Sequence, residues 1–141
     1  MRPQTVHVFS GTFGSREKAC QYSELQWERP APDDSWSAED YAAWESRNPT
    51  WPLRKDLAIT PLDPDFIETV FGPQKLDYLR SQLATEPDRR NVLEQISQDA
   101  DTLVLILSEA FGGKQVRPSS TPRLNYHGEY PWTPALRSPA A

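Results

Sequence analysis

The chain is poor in cysteine, in histidine and in basic residues relative to acidic ones. Its single cysteine, Cys20, excludes an internal disulfide bond. The 15 lysines and arginines stand against 20 acidic residues, which gives a net charge of −5. Nucleic-acid binding depends on clustered lysine and arginine that neutralise phosphates. We therefore expect no direct binding of DNA or RNA.

Long hydrophobic runs are also missing. No apolar stretch approaches the roughly 20 residues that a membrane-spanning helix needs. No early apolar stretch follows a basic start, as it would in a secretory signal. The sequence therefore predicts a cytoplasmic protein with no membrane partner.

The sequence has only two histidines, His7 and His127, and therefore few candidates for a catalytic base. Cys20 would need a neighbouring base to act as a nucleophile. Both histidines lie in predicted strands, where a packed or surface side chain is the commoner role. We predict no catalytic residue and no cofactor.

One group of carboxylates has a spacing that invites a metal-site interpretation. Asp63, Asp65 and Glu68 lie close together in the chain, but they lack the glycine and the further acid of an EF-hand loop. Capping explains two of them, because Asp63 suits the start of a turn and Asp65 suits the start of a helix at Phe66. We predict no metal site.

Fourteen prolines and six glycines restrict regular structure, since proline fixes φ and removes a backbone donor. Hydrophobic patterns predict strands over residues 5–10, 57–60, 102–108 and 124–130, with 102–108 central because it is apolar on both faces. Ser15 and Ser37 as N-caps, together with helical spacing, predict helices over 15–27, 37–47 and 73–83, and others from Phe66 and Asp88. Trp27 is expected to lie on the face of the first helix that packs on the sheet.

This irregular order of elements predicts an α+β fold. We expect a single domain over residues 1–132, with a small, mostly antiparallel sheet of about four strands covered by helices. Residues 133–141 contain proline and alanine and are predicted to form a C-terminal tail.

Acidic charge and tryptophan are concentrated in one segment. Between Glu24 and Glu45 the chain has seven acids against one base, a local charge of −6. Tryptophan is costly when exposed and is enriched at the centres of protein interfaces. We therefore predict that this segment binds a basic protein partner. The predicted contact residues are Asp33, Asp34, Trp36, Glu39, Asp40 and Trp44, with Asp63, Asp65 and Glu68 as a second candidate patch.

Two plainer interpretations of this segment stay open. Runs of charge are usually solvated surfaces, and Trp44 and Trp51 would also be explained if they covered the sheet. A different class of function is also open, because residues 11–15 lie between a strand and a helix, where backbone amides can hold an anion. The alternative is therefore a small enzyme or ligand-binding domain with an anion cradle at Gly11–Ser15 and His7 or His127 as proton carrier.

Several stretches together resemble the immunity protein 22 family. Residues 6–17 (VHVFSGTFGSRE), with Tyr22 downstream, are similar to its opening strand, Gly-x-Phe turn and Ser-x-Glu helix start. Residues 55–59 and 63–68 (DPDFIE) resemble its middle block, and residues 101–107 and 124–130 resemble its two closing strands. The order of the motifs agrees over nearly the whole domain.

The resemblance implies a small α+β protein of the bacterial cytoplasm, made beside a polymorphic toxin. Such a protein binds and neutralises its cognate toxin domain without chemistry. Toxin domains in these systems are often basic nucleases. We therefore hypothesise that an acidic surface takes the place of the nucleic-acid backbone on the toxin.

Overall fold

The computed structural model describes residues 4–132. In that part of the chain five α-helices accompany one sheet of four antiparallel strands. The elements in chain order are β1 (Thr5–Gly11), α1 (Arg16–Ser23), α2 (Ala38–Arg47), α3 (Pro52–Leu57), β2 (Ile67–Phe71), α4 (Lys75–Gln82), α5 (Glu86–Gln95), β3 (Thr102–Leu107) and β4 (Asn125–Pro131). Short 3-10 turns lie at Pro64–Phe66 and Ser108–Phe111. The predicted α+β fold is confirmed.

The sheet has the order β2-β3-β1-β4, so β1 and β3 are central and β2 and β4 form the edges. Val6 of β1 pairs with Leu107 of β3, and Gly11 pairs with Thr102. All of β3 is buried except Leu107. The expectation that an apolar run over 102–108 forms a central strand is confirmed.

Each face of the sheet has its own hydrophobic core, as the alternation of side chains along a strand requires. On one face, Phe9, Val104 and Ile106 pack with residues of α1, α3 and the Ser108–Phe111 turn. On the other face, Val8, Leu103 and Leu105 pack with residues of α4 and α5. The helices thus cover the sheet from both sides.

Two predicted helix caps are present. The Ser15 hydroxyl accepts a hydrogen bond from the Lys18 amide at 3.1 Å at the start of α1. The Ser37 hydroxyl accepts from the Asp40 amide at 3.0 Å at the start of α2. Each cap satisfies a backbone donor that the first turn of a helix leaves unpaired.

Three predictions of local structure are wrong. Helix α1 ends at Ser23, so it does not reach Trp27. Residues 57–60 form no strand, because α3 runs through Leu57 and Ala58 then adopts a left-handed conformation with φ of 56°. No helix begins at Phe66, where the chain instead enters β2.

The helix predicted from Asp88 starts two residues earlier, at Glu86, with Thr85 as its cap. The predicted C-terminal tail at 133–141 lies outside the described residues. Within residues 4–132, no helix has the length and apolar character needed to cross a membrane.

Candidate partner-binding surface

The segment between α1 and α3 forms a long loop whose two ends are paired with each other. Its base is closed by Gln26 and Thr50, whose backbone amides each donate to the other's carbonyl at 2.8 Å. Helix α2 lies between these two residues, and none of residues 24–52 is buried. We call residues 26–50 the acidic protrusion.

Glu28 joins the two arms of the acidic protrusion. Its carboxylate accepts hydrogen bonds from the Arg47 guanidinium at 3.1, 2.9 and 3.1 Å. Its backbone amide donates to Asn48 Oδ1 at 2.7 Å, and its carbonyl accepts from Trp44 Nε1 at 3.2 Å. The hydrogen bonds from Arg47 hold the pKa of Glu28 below its ordinary value. The protrusion therefore has a defined internal structure without a core beneath it.

An aromatic group lies on the acidic protrusion, outside both cores of the sheet. The rings of Trp27 and Trp44 stack with their centroids 5.8 Å apart and an interplanar angle of 24°. Tyr41 adds a third ring, 6.4 Å from Trp44. Trp27 is 54% exposed and Tyr41 is 47% exposed. The prediction that Trp27 packs on the sheet is therefore wrong.

Trp51 behaves differently from Trp44. It packs against the core on the α1 side of the sheet, and its Nε1 donates to the Ser23 carbonyl at 2.8 Å. The interpretation in which a tryptophan covers the sheet is confirmed for Trp51. It is wrong for Trp44, whose described ring contacts are with Trp27 and Tyr41.

All six predicted contact residues of the first patch lie on the acidic protrusion. Trp36 and Asp40 line the same shallow groove, which has a volume of about 300 Å³ and also contacts Ala43 and Arg47. Glu39 lies beside Asp40 in the first turn of α2, where the helix dipole favours a negative charge. The structure thus brings Trp36 and Asp40 together, whereas Trp44 belongs to the aromatic group.

Asp33 has a local structural role as well as a charge. Its carboxylate accepts hydrogen bonds from the amide and the hydroxyl of Ser35. These hydrogen bonds hold the pKa of Asp33 below its ordinary value. Asp34, the next residue, is exposed.

The acidic protrusion has an excess of negative charge. It contains six acids and two bases, and its one ion pair within the described residues joins Arg47 to Glu28. The acids at Asp34, Glu39 and Asp40 are exposed. An approaching partner would therefore meet negative charge around exposed aromatic rings.

The second candidate patch is only partly assembled. The Asp63 carboxylate accepts from the Asp65 amide at 2.9 Å, which confirms its turn-capping role. Asp65 and Glu68 line a separate groove at the start of β2, which does not include Asp63. Asp65 does not cap a helix, because β2 follows the turn.

The predicted anion cradle holds a carboxylate of the chain itself. The amides of Phe13 and Gly14 donate to the two oxygens of Asp101 at 2.9 and 2.8 Å. Desolvation raises the pKa of Asp101, but these hydrogen bonds and one from the Thr102 hydroxyl outweigh it, so the pKa lies below its ordinary value. An external anion at this loop would have to displace Asp101.

Both histidines are buried on opposite faces of the sheet, and each has a polar partner. His7 Nδ1 lies 2.8 Å from the Tyr126 hydroxyl, and His127 Nε2 lies 2.6 Å from the Ser10 hydroxyl. Burial lowers the pKa of both, although Glu129 partly opposes this at His7. Neither histidine lines the grooves at Trp36 and at β2.

Residues 4–132 contain no group of three or more histidine, cysteine or carboxylate side chains placed to bind a metal ion. Comparison of the chain with protein-family models, curated proteins and solved structures gives no match. The resemblance to the immunity protein 22 family therefore rests on the residues quoted above and stays a prediction.

Proposed function

We propose that this chain is an immunity protein that binds a basic toxin domain through the acidic protrusion and occludes the toxin's active site. The observation that carries the proposal is the protrusion itself: it contains three tryptophans, yet none of residues 24–52 is buried. The resemblance to the immunity protein 22 family supports a toxin as the partner. Occlusion requires binding alone and no reaction.

Exposed aromatic rings give this surface a source of binding energy. The rings of Trp27 and Tyr41 are about half exposed and contribute little to either core. Covering such rings in a partner removes apolar area from water, and tryptophan and tyrosine are the residues most often found at energetic centres of interfaces.

The surrounding acids give the surface a preference for basic partners. Negative charge on the protrusion raises the association rate of a positively charged domain and lowers that of acidic ones. The acidic protrusion is held in one conformation before binding by the ion pair between Glu28 and Arg47 and by the backbone hydrogen bonds between Gln26 and Thr50. A preformed surface loses less conformational entropy when it binds.

The proposal is tested with the toxin domain encoded by the reading frame beside this one. Co-expression of the chain should restore growth of cells that produce the toxin domain. We expect Trp36→Ala to weaken the complex by about 30-fold, which corresponds to about 2 kcal/mol for a central tryptophan. Asp40→Lys should lower the association rate several-fold at low salt and less at high salt.

Glu94→Lys on α5 is the matched control, because Glu94 is exposed and lies away from the protrusion. It reverses one charge as Asp40→Lys does and should leave affinity and rescue unchanged. If Trp36→Ala and Asp40→Lys behave like Glu94→Lys, the protrusion is not the contact surface. If the full chain fails to restore growth or to bind the toxin domain, the proposed function is wrong.

A further inference from the structure

A second groove opens at one end of the sheet, where β2 begins and β3 ends. It has a volume of about 210 Å³, and six of the eight described residues that line it are apolar. Val6, Leu105 and Leu107 form its floor. Phe66, Ile67 and Trp132, the residue that follows β4, complete the apolar lining, and the two polar residues are Asp65 and Glu68. We call it the β2 groove.

The floor of the β2 groove borders a hydrophobic core. Val6 and Leu105 are 1% and 3% exposed and belong to the core on the α4 and α5 face, and Leu107 packs against it. Helices α4 and α5 cover that core elsewhere. The apolar side chains that remain partly exposed along the groove are those of Phe66, Ile67, Leu107 and Trp132.

The far side of the groove is fixed in position. Trp132 Nε1 donates to Gln82 Oε1 at 2.9 Å, and Trp132 pairs with Leu83 through a β-bridge. Gln82 is 3% exposed, so this hydrogen bond anchors the indole to α4. These two contacts fix the position of the Trp132 indole at the edge of the groove.

Among the described residues, the polar lining of the groove consists of the carboxylates of Asp65 and Glu68, with no lysine or arginine. Within the same residues, neither carboxylate takes part in an ion pair. Glu68 accepts a hydrogen bond from the Tyr78 hydroxyl at 2.6 Å, which orients one of its oxygens. An apolar floor with only carboxylates beside it is complementary to a side chain that is apolar along its stem and cationic at its tip.

We propose that the β2 groove receives a lysine or arginine side chain of the partner protein, with the stem along the partly exposed apolar lining and the head group at Asp65 and Glu68. The assignment rests on the proposed function, since it names a basic segment of the same partner. The floor lies on the α4 and α5 face, whereas the protrusion starts from α1 on the opposite face. The groove is therefore a second contact with its own chemistry.

The test uses the full chain labelled with ¹⁵N and a short capped peptide, Gly-Leu-Arg-Leu-Gly, as the probe. Titration should shift the amide signals of Glu68 and Leu107 and the indole signal of Trp132. A peptide with norleucine in place of arginine should bind at least about fivefold more weakly, because it lacks the cationic head group. Asp65→Asn with Glu68→Gln should weaken the arginine peptide by about five- to tenfold.

Glu94→Gln with Asp99→Asn is the matched control, since it removes two exposed carboxylates elsewhere and changes the net charge equally. The control should bind the arginine peptide as the wild type does. Equal weakening in both double variants, equal binding of both peptides, or shifts confined to residues 26–50 would overturn the proposal. Groove signals that already change when the protein alone is diluted would assign the groove to a second copy and would also overturn it.

The outcome is separable from the test of the proposed function. Failure of the peptide to bind leaves growth rescue through the acidic protrusion intact. If growth rescue fails but the arginine peptide still binds the groove, the toxin is not the partner, and the preference of the groove for a cationic side chain still holds.

Discussion

The loop at residues 11–15 gives a sharp prediction, because two of its amides, those of Phe13 and Gly14, donate to the same carboxylate. Asp101→Ala removes the carboxylate that accepts hydrogen bonds from Phe13 and Gly14 at 2.9 and 2.8 Å. It also removes the acceptor of the Thr102 hydroxyl at 2.8 Å. The substitution therefore leaves two backbone donors of the strand-to-helix turn without a partner.

The size of the effect follows from the type of these hydrogen bonds. A hydrogen bond to a charged group contributes about 1.5–3 kcal/mol, and the partial exposure of Asp101 places each bond at the lower end. The expected loss is about 2–4 kcal/mol, or about 6–12 °C in Tm for a domain of this size. Asp101→Asn keeps one acceptor oxygen and should lose roughly half as much.

The pH dependence has a definite sign. The folded-state pKa of Asp101 lies below its unfolded value, so its contribution is complete above the unfolded pKa of about 3.9 and disappears as the pH falls through the folded pKa. Urea unfolding followed by circular dichroism at several pH values measures this. A difference of less than about 0.5 kcal/mol in the free energy of unfolding between the wild type and Asp101→Ala at pH 7 would show that these hydrogen bonds do not stabilise the fold.

The same experiment bears on the anion-cradle alternative. Because Asp101 accepts from both amides, inorganic phosphate should not raise the Tm of the wild type beyond an equal ionic strength of chloride. Phosphate that specifically stabilises the wild type would show that the loop exchanges Asp101 for an external anion.

Two further predictions concern the interior. Burial lowers the folded-state pKa of His7 and His127. The stability that the neutral histidines contribute should therefore be fully present above about pH 6.5 and be lost as the pH falls through their folded-state pKa values. A urea midpoint at pH 5.5 equal to or above that at pH 7.5 would contradict this. Gly11→Ala would place a Cβ 2.7 Å from the Arg123 carbonyl oxygen and 3.0 Å from Leu124 Cδ2, and we expect a loss of about 1–3 kcal/mol from this overpacking. An unchanged Tm for Gly11→Ala would show that the backbone at Arg123 shifts to accommodate the methyl group without a loss of stability.

The sequence alone predicted those parts of the fold in which one local signal dominates. The run over 102–108 is apolar on both faces and became the central strand β3. Ser15 and Ser37 were predicted as caps and accept the expected amide hydrogen bonds. In each case a short-range physical requirement, burial or an unpaired helical amide, coincides with the tertiary structure.

The errors around α3 and α5 share a cause. We predicted a strand over 57–60 and a helix from Asp88, and neither prediction places Pro52 or Pro87 in a helix. Both prolines instead lie in the first turn of a helix, where the missing amide costs nothing and the fixed φ favours the helix. The spacing of Leu53 and Leu57, both buried, was the signal that would have indicated α3.

The error at β2 came from two signals that compete over a few residues. Asp63-Pro64-Asp65 resembles a helix cap, but four of the five residues that form β2 are β-branched or aromatic: Ile67, Thr69, Val70 and Phe71. Such a composition favours a strand, and the structure places Ile67 and Phe71 against one core and Val70 against the other. The composition of 67–71 was the stronger evidence because it extends over more residues than the cap.

The candidate surface was predictable in composition and unpredictable in its internal contacts. Trp36, Trp44 and the acids follow from the local excess of charge and tryptophan. The stack of Trp27 on Trp44 and the ion pair of Glu28 with Arg47 join residues 17 and 19 positions apart. Such contacts depend on the path of the chain through the acidic protrusion, and no periodicity in the sequence predicts that path.

The separation between the core and the acidic protrusion has a consequence for how recognition and stability are related. Because none of residues 24–52 is buried, a substitution there removes little packing from the sheet, and exposed changes of this kind usually alter stability by no more than about 0.5 kcal/mol. Backbone hydrogen bonds between Gln26 and Thr50 join the two ends of the acidic protrusion, and Trp51, which follows it, donates to the Ser23 carbonyl of α1. The chain can therefore change the charge and aromatic content of its proposed contact surface while the two cores stay intact, which is the arrangement that a protein matched to one particular partner requires.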